Sequence, residues 1–423
     1  FKAKRSGEAR LLVDFKSSKV NSMIEKSVQP QFSVEQLVSQ VPPGMNFFYS
    51  ADIQNAFFCY PIEDGPEGSD ICVFLTHLGK FKFRVLAQGL CVSQFALGET
   101  MTEVMEHEDL LHRNEGDQND SGSLVLVDDI AGFARSEHKI KKMLRTFFER
   151  CKKYNIKLNP AKFQFGSQIH YGGLIMSKLG LKPDDNRMSS VKLYPRPTTK
   201  KQVSRFLGMA TSLASFTSTL LQDCKELRNL TKKDTIFKWE SKHEEEWLRI
   251  KERLSNPALL HHYQPGTPIA ADVDTSVEGL GYTCYSYDPE KGNPGPDNAK
   301  LIRCGSGCSK PSWKNYSAIE LESTGVLLTA RRLQHYFTNH RGAVIRNDHL
   351  PFVQAYENKD LSEVSPRLRR IFMELRDLEI KVIWCPATEM MHSDAFSRHP
   401  VEEADSFGPC LLYTSDAADD PTC

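Results

Sequence analysis

The sequence lacks an excess of charge of either sign: 54 lysines plus arginines stand against 54 aspartates plus glutamates in 423 residues. That balance argues against a highly basic nucleic-acid binder, while saying nothing of local grooves. Eleven cysteines include no C-x-x-C pair. Cys304 and Cys308 come nearest, with no matching second pair, so a structural zinc site is not expected. The odd, scattered cysteine set fits reduced cytosolic thiols. Neither a signal peptide nor an apolar run of transmembrane length is present, so no membrane partner is expected. The chain starts at Phe1 rather than methionine, and Cys410 to Asp419 reads like translated sequencing adapter. Residues 410–423 are therefore set aside, and the chain is expected to be a fragment.

What is present is organised around Ser123-Leu-Val-Leu-Val-Asp-Asp-Ile130, where four apolar residues run into two carboxylates. The Leu/Val run reads as a buried strand, and charges at its end need a cation or hydrogen-bond donors. Two other doublets exist, Asp184-Asp185 and Asp419-Asp420; the first, between Pro183 and Asn186, reads as a solvated turn. Asp128-Asp129 differs because it ends a core strand, which points to metal. Neighbouring strand residues face opposite ways, so both aspartates approach one metal only if the chain turns there; Gly132 is read as supporting that turn. Upstream, an aromatic-rich strand from Phe47 to Ile53 carries Asp52. If the two strands pair, three carboxylates converge on one sheet edge, a hard-oxygen site suited to magnesium.

Asp52, Phe57 five residues on, then Gln88-Gly89, then the Val-Asp-Asp hairpin resemble the reverse transcriptase of retroviruses and LTR retrotransposons, gypsy-type elements above all. The resemblance implies an α+β chain whose first part is a right-hand polymerase, with fingers and palm over residues 1–180 and thumb and connection over 181–265. It implies that Arg10, on a fingers strand from Ala9 to Phe15, contacts the incoming nucleotide's phosphates. It further implies that the Phe57 ring packs under the sugar and excludes a 2′-hydroxyl. Gln88 and Gly89 would hold nucleotide and template, Gly89 by allowing close backbone approach. Lys162, in a segment resembling motif D, would assist pyrophosphate departure as an acid. Without the resemblance, the basic flank at Arg10 reads as an exposed edge strand, Phe57 equally as core, and Lys162 as a solvated lysine. Gln94, Lys16 and Leu126 depart from the family's proline, arginine and aromatic.

The clearest helix runs from Ser136 to Asn155, with Ile140, Met143, Leu144, Phe147, Phe148, Cys151 and Tyr154 as its core stripe. The second half of Glu106 to Ser123 reads as a flexible surface insertion. Leu78-Gly79-Lys80 is read as a hairpin turn and Tyr171 to Ser177 resembles the primer-gripping hairpin. Pro195-Arg-Pro-Thr198 reads as a linker. Lys201-Gln-Val-Ser-Arg-Phe-Leu-Gly208, on a helix expected from Lys200 to Leu221, resembles a gypsy-type thumb. A further charged helix is expected from Trp239 to Leu254.

From Thr267 the pattern becomes strand, turn, strand. Asp274, taken alone, reads as a turn residue. Glu322 on a helix, Asp348 after a strand and Asp394 on a closing helix would, if convergent with it, form a two-metal hydrolytic site. Asp274-Thr-Ser, Glu320-Leu-Glu322, Asn347-Asp-His349 and Ser393-Asp-Ala-Phe-Ser-Arg398 resemble, in order, the RNase H of the same elements. An α/β RNase H-like domain with a mixed sheet over 266–400 is implied, followed by a linker at 401–409. Asp272, two residues earlier on the same strand face, competes with Asp274 for the first-ligand role; the Asp-x-Ser match favours Asp274.

The resemblance implies an RNA-directed DNA polymerase with RNase H activity, serving retrotransposon replication. Asp52, Asp128 and Asp129 would hold two Mg2+ at one site, and Asp274, Glu322, Asp348 and Asp394 two at the other, with Mn2+ as a substitute. Implied partners are an RNA template, a DNA or tRNA primer, dNTPs and the RNA–DNA hybrid, with protease and integrase segments flanking in a polyprotein. The implied location is the cytoplasm, in a virus-like particle, or the nucleus. The alternative, from another class, is a decayed or domesticated element that binds nucleic acid without catalysis. Seven candidate carboxylates present together argue against it.

Overall fold

In the computed structural model the described residues fall within 2–391; residues 1, 4–8, 11–12, 16, 26–33, 111–119, 218–219, 221–223, 256, 278, 293, 295–297, 338–342, 359–360, 363 and 392–423 lie outside the description. The expected linker at 401–409, the tail at 410–423 and the core of the Glu106–Ser123 insertion therefore lie outside it. The described residues divide into two compact units, one up to Gly172 and one from Gly173 to Met391.

The first unit is built on a four-stranded antiparallel sheet in the order Ser121–Leu126, Asp129–Ala134, Phe47–Asp52, Gln164–Gly166. The helices Ser93–Met105 and Glu137–Lys153 cover it, burying Leu97, Met101, Val104, Ile140, Met143 and Phe147 with Tyr49, Ala51 and Ile130. The 3.6-residue stripe of the second helix dictates this docking. Its Ser136 cap accepts from the Lys139 amide, and three basic residues in its last turn, Arg150, Lys152 and Lys153, complement the helix dipole. Phe148, placed by the spacing on the core stripe, is exposed instead, because it lies at the edge of a stripe already filled by Phe147.

Four local readings need correction. Ser121–Leu126 is not buried on both faces: only Gly122 and Leu124 are enclosed, as befits an edge strand with one covered face. Gly132 makes no turn. It sits inside the Asp129–Ala134 strand, where a Cβ would meet the Tyr49 ring at 2.1 Å, so it is a place of close packing. The Val73–Thr76 and Gly79–Lys82 hairpin turns at His77-Leu78, one residue before the expected position. At the N-terminal end, Ala9–Arg10 pairs with Lys2–Ala3; Leu11 and Leu12 of the expected strand lie outside the description, and Val13, Asp14 and Phe15 are not strand, Phe15 being buried.

The second unit begins with the hairpin Leu174–Ser177 and Gly180–Pro183. Helices Asp185–Lys192, Lys200–Thr211, Lys225–Thr231 and Ser241–Arg253 follow, packed around Met188, Val203, Phe206, Leu227, Trp247 and Ile250. The helix expected to reach Leu221 ends at Thr211, and a short 3-10 turn, Ala214–Phe216, takes over. Leu260 then pairs with Leu181 through both backbone hydrogen bonds, and the His261 amide donates to the Leu301 carbonyl at 2.6 Å. The chain ends in a five-stranded mixed sheet ordered Ala299–Cys308, Gly279–Tyr287, Ile269–Thr275, Val344–Asn347, Lys381–Trp384. The first two pairings are antiparallel and the last two parallel. Helices Ala318–Arg332, Leu350–Glu357 and Pro366–Asp377 bury Val326, Phe352 and Phe372 against it. The fold is α+β, as read from the sequence. Among the described residues no helix is long and apolar enough to cross a membrane.

Candidate active sites

Asp52 ends its strand directly opposite Asp129, the first residue of the neighbouring strand. The two carboxylates therefore sit on one sheet edge because the register puts them there. Leu126 pairs with Asp129, leaving Val127 and Asp128 as a two-residue turn. Val127 has φ +58°, a left-handed conformation that a β-branched residue adopts only under strain. This turn, and not Gly132, allows Asp128 and Asp129 to stand at the same end of the hairpin. Both aspartates and Asp52 are half-buried.

A second element closes on Asp52 from the Leu158 side. Asn159 donates its amide to the Asp52 carbonyl at 2.8 Å, and Ile53 bridges Leu158. The 3-10 turn Pro160–Lys162 then brings Lys162 Nζ to 3.4 Å from Asp52 Oδ1. Phe57 lies on the 3-10 turn Ala56–Cys59, half-buried against the sheet core. Gln88 is half-buried beside exposed Gly89, which has φ +96°. Arg10 sits in its short strand, with its side chain outside the description.

One residue of this region was not singled out for a role. The Asn21 side chain donates to the Gly89 carbonyl at 2.9 Å and accepts from the Cys91 amide at 3.0 Å. Ser93 Oγ fastens the other end of the loop by donating to the Ala87 carbonyl. A side-chain amide that offers both a donor and an acceptor is suited to such a clamp, but two partners nearly seventy residues away in sequence leave no local signal.

In the second unit, Asp274 lies within the strand Ile269–Thr275 and is exposed, rather than in a turn. Glu322 comes from the helix Ala318–Arg332, capped by a Ser317–Glu320 box. That helix approaches the sheet so closely that a Cβ on Gly325 would fall 1.9 Å from Thr275 Oγ1. Asp348 follows the strand Val344–Asn347, and Trp384 Nε1 donates to its carbonyl at 3.1 Å. Burial, then the charges of Asp274 and Asp348, push the Glu322 carboxyl up to about 8, while the Asn347 hydrogen bond works the other way. Asn347, a departure from the family's threonine, is enclosed; its Nδ2 donates to Glu322 Oε2 at 2.9 Å and to the Val273 carbonyl at 3.0 Å. Asp394 lies outside the described residues.

Asp272 and Asp274 compete no longer. Asp272 is 3% exposed and taken up by Arg346, Tyr285 and the Met391 amide, whereas Asp274 faces outward.

Among the described residues no group of three or more carboxylate, histidine or cysteine side chains is arranged to hold an ion. The donor chemistry nonetheless suits a hard divalent cation at both places. At the first, a lysine ammonium already neutralises Asp52. At the second, burial raises Glu322 most, and the neighbouring charges of Asp274 and Asp348 add a repulsion that a cation would relieve.

The chain has recognisable relatives among known proteins. Residues 2–210 match the family model of reverse transcriptase (RNA-dependent DNA polymerase), and residues 239–344 match that of the RNase H-like domain found in reverse transcriptase. The transposon Tf2-3 polyprotein of Schizosaccharomyces pombe is 24% identical over 402 residues, covering 94% of this chain and 28% of the polyprotein. The Tf2-7 polyprotein of the same organism is 24% identical over 406 residues, with the same coverage. The chain thus spans little more than a quarter of these relatives. In fold, it resembles a foamy viral protease-reverse transcriptase solved with double-stranded DNA, with TM-score 0.73 at 17% identity over 91% of this chain and 64% of that one. The foamy viral enzyme solved with an RNA/DNA hybrid gives TM-score 0.71 at 16% identity over 95% and 51%. The chain thus carries a reverse-transcriptase family region followed by an RNase H-like domain of the kind found in reverse transcriptase, and is distantly related to the Tf2 LTR-retrotransposon polyproteins.

Proposed function

We propose that this chain is the polymerase and RNase H region of a gypsy-type element, copying RNA into DNA and cutting RNA in the resulting hybrid. The observation that carries the reading is the register pairing of Asp52 with Asp129 beside a strained Val127-Asp128 turn. In this reading residues 1–180 are fingers and palm, 181–265 thumb and connection, and 266–400 the RNase H-like domain.

Asp52, Asp128 and Asp129 would hold divalent ions at the first site, and Asp274, Glu322, Asp348 and Asp394 at the second. Bound Mg2+ would supply hydroxyl or water activation and charge stabilisation of in-line phosphoryl transfer. The chain's own groups do the rest. Phe57 shapes the sugar pocket and selects deoxynucleotides. Gln88 and Gly89, held by Asn21, position nucleotide and template. Arg10 binds triphosphate. Lys162 moves from Asp52 to protonate the departing pyrophosphate. The hybrid is held by shape and phosphate contacts rather than base reading, which implies low sequence specificity and strong salt dependence. The setting is a polyprotein with protease and integrase segments, acting in a cytoplasmic particle or the nucleus.

The test is primer extension on an RNA template with Mg2+, alongside hybrid cleavage, comparing the parent with Asp128→Asn and Glu322→Gln. Extension lost only in the first variant and cleavage lost only in the second would bear out both sites. In the same assay, Phe57→Val should raise ribonucleotide incorporation at least about tenfold, the scale of a size-based discrimination. Binding of the hybrid with neither activity, in a chain extended at its N-terminus as well, would favour the non-catalytic alternative.

A further inference from the structure

Asp272 and Arg346 stand opposite each other on adjacent parallel strands. They are 3% and 4% exposed. Arg346 Nε and Nη2 meet Asp272 Oδ1 and Oδ2 at 2.6 Å each, a two-pronged pair. The Tyr285 hydroxyl donates to Oδ1 at 2.7 Å, and the Met391 amide to Oδ2 at 2.5 Å. Arg346 Nη2 also donates to the Glu389 carbonyl at 3.1 Å, and its guanidinium lies over the Tyr285 ring. Four separate segments therefore meet at one enclosed charge pair.

Stability alone does not account for it. Desolvating two charges costs several kcal/mol per ion, and apolar residues of similar volume often serve as well or better. What an apolar pair cannot do is fix hydrogen-bond directions. Two residues beyond Asp272 on its strand stands Asp274, and two beyond Arg346 stands Asp348. Met391 precedes Asp394 by three residues, and its side chain is buried with Tyr285 and Ala270.

We infer that the Asp272–Arg346 pair is a positioning device for the second site: it sets the register that delivers Asp274 and Asp348 and pins the chain at Met391. The inference rests on the metal-dependent reading of that site. Asp272 itself is not a ligand; its oxygens are consumed by Arg346, Tyr285 and Met391.

The experiment uses the whole chain and the double variant Asp272→Leu/Arg346→Met, since either single change leaves a buried charge alone. Mn2+ binding is titrated by paramagnetic resonance, with Glu322→Gln marking which binding belongs to the site. Hybrid cleavage and primer extension are measured in parallel. The double variant is expected to melt at the parent's temperature or above, yet to need at least about tenfold more Mn2+ for half-saturation, the effect typical of lost outer-shell support. Its hybrid cleavage should fall by a similar factor with primer extension unchanged. A folded double variant with the parent's Mn2+ midpoint overturns the positioning role alone. A parent with no Mn2+ binding sensitive to Glu322→Gln overturns the reading of the site as well. If the double variant does not fold, Arg346→Lys keeps the charge and loses the fork; a raised Mn2+ midpoint supports the role, and an unchanged one overturns it.

Discussion

Lys162 Nζ stands 3.4 Å from Asp52 Oδ1, so the cation beside the first carboxylate comes from the protein itself. The ammonium would have to share Asp52 with any divalent ion. Lys162→Met should therefore lower the Mg2+ concentration that half-saturates primer extension. At saturating Mg2+ the same change should slow extension about a hundredfold or more, the usual worth of a positioned acid. A slower rate with no change in Mg2+ requirement would separate the acid role from the charge competition.

The raised Glu322 group gives a pH prediction with a definite sign. Its pKa is about 8 in the fold against an ordinary 4.5. The folded chain thus holds a proton that the unfolded chain releases, and this group's contribution to stability is complete below pH 4.5 and lost as pH rises through about 8. With divalent ions chelated, Glu322→Gln should melt like the parent near pH 4.5 and above it at pH 9. Thermal melts of both chains across that range check the divergence, and added Mg2+ should narrow it by favouring the ionised carboxylate.

The Asn21 side chain makes two of the hydrogen bonds that tie the Gly89–Cys91 turn to the N-terminal segment, the third being the Cys91 thiol donating to the Asn21 carbonyl. Asn21→Ala should raise the dNTP KM about tenfold, corresponding to the loss of one to two ordinary hydrogen bonds, with a smaller change in kcat. Asn21→Gln, which keeps the chemistry on a longer arm, should recover part of the loss. Steady-state kinetics on an RNA template distinguish this from simple destabilisation, which would lower active enzyme without moving KM.

At Gly325 the Glu322 helix lies so close to the sheet that an added Cβ would fall 1.9 Å from Thr275 Oγ1. Gly325→Ala gains helix propensity of about 1 kcal/mol but forces a methyl into Thr275. Overpacking of this kind costs about 1–3 kcal/mol, so a lower melting temperature is expected despite the better helix former. Because the helix must back away, hybrid cleavage should fall while primer extension stays at the parent's level.

Much of this arrangement was legible in the sequence because it is written locally. Asp52 and Asp128-Asp129 each follow an apolar strand, and the stripe from Ile140 to Cys151 needs only helical spacing to be read. The turn was misplaced to Gly132 because a glycine is the usual author of a turn, whereas here Val127 is held at positive φ by the strands on either side. Arg346 draws no reading from the sequence, and Asp272 reads as a rival ligand. Their pairing depends on a parallel contact between residues 74 apart, which no window of sequence reveals. Asn347 read as a deviation from a motif, when its amide serves two carbonyl-type oxygens on neighbouring elements.

The backbone of Leu260 and His261 bears on how the chain can be divided. Leu260 completes the outer edge of the hairpin at Leu181, and His261 caps the edge strand at Leu301. The border at residue 265 that the family resemblance implies thus cuts beside a short strap that touches two sheet margins at once. An RNase H-like piece excised from residue 266 would leave the Leu260–Leu181 pairing in the other half but part the His261 amide from the Leu301 carbonyl, opening one ladder donor and one acceptor to solvent. Such margins recruit other chains, so the separated halves should be stickier than the parent, and a piece that begins ahead of Leu260 should stay monodisperse.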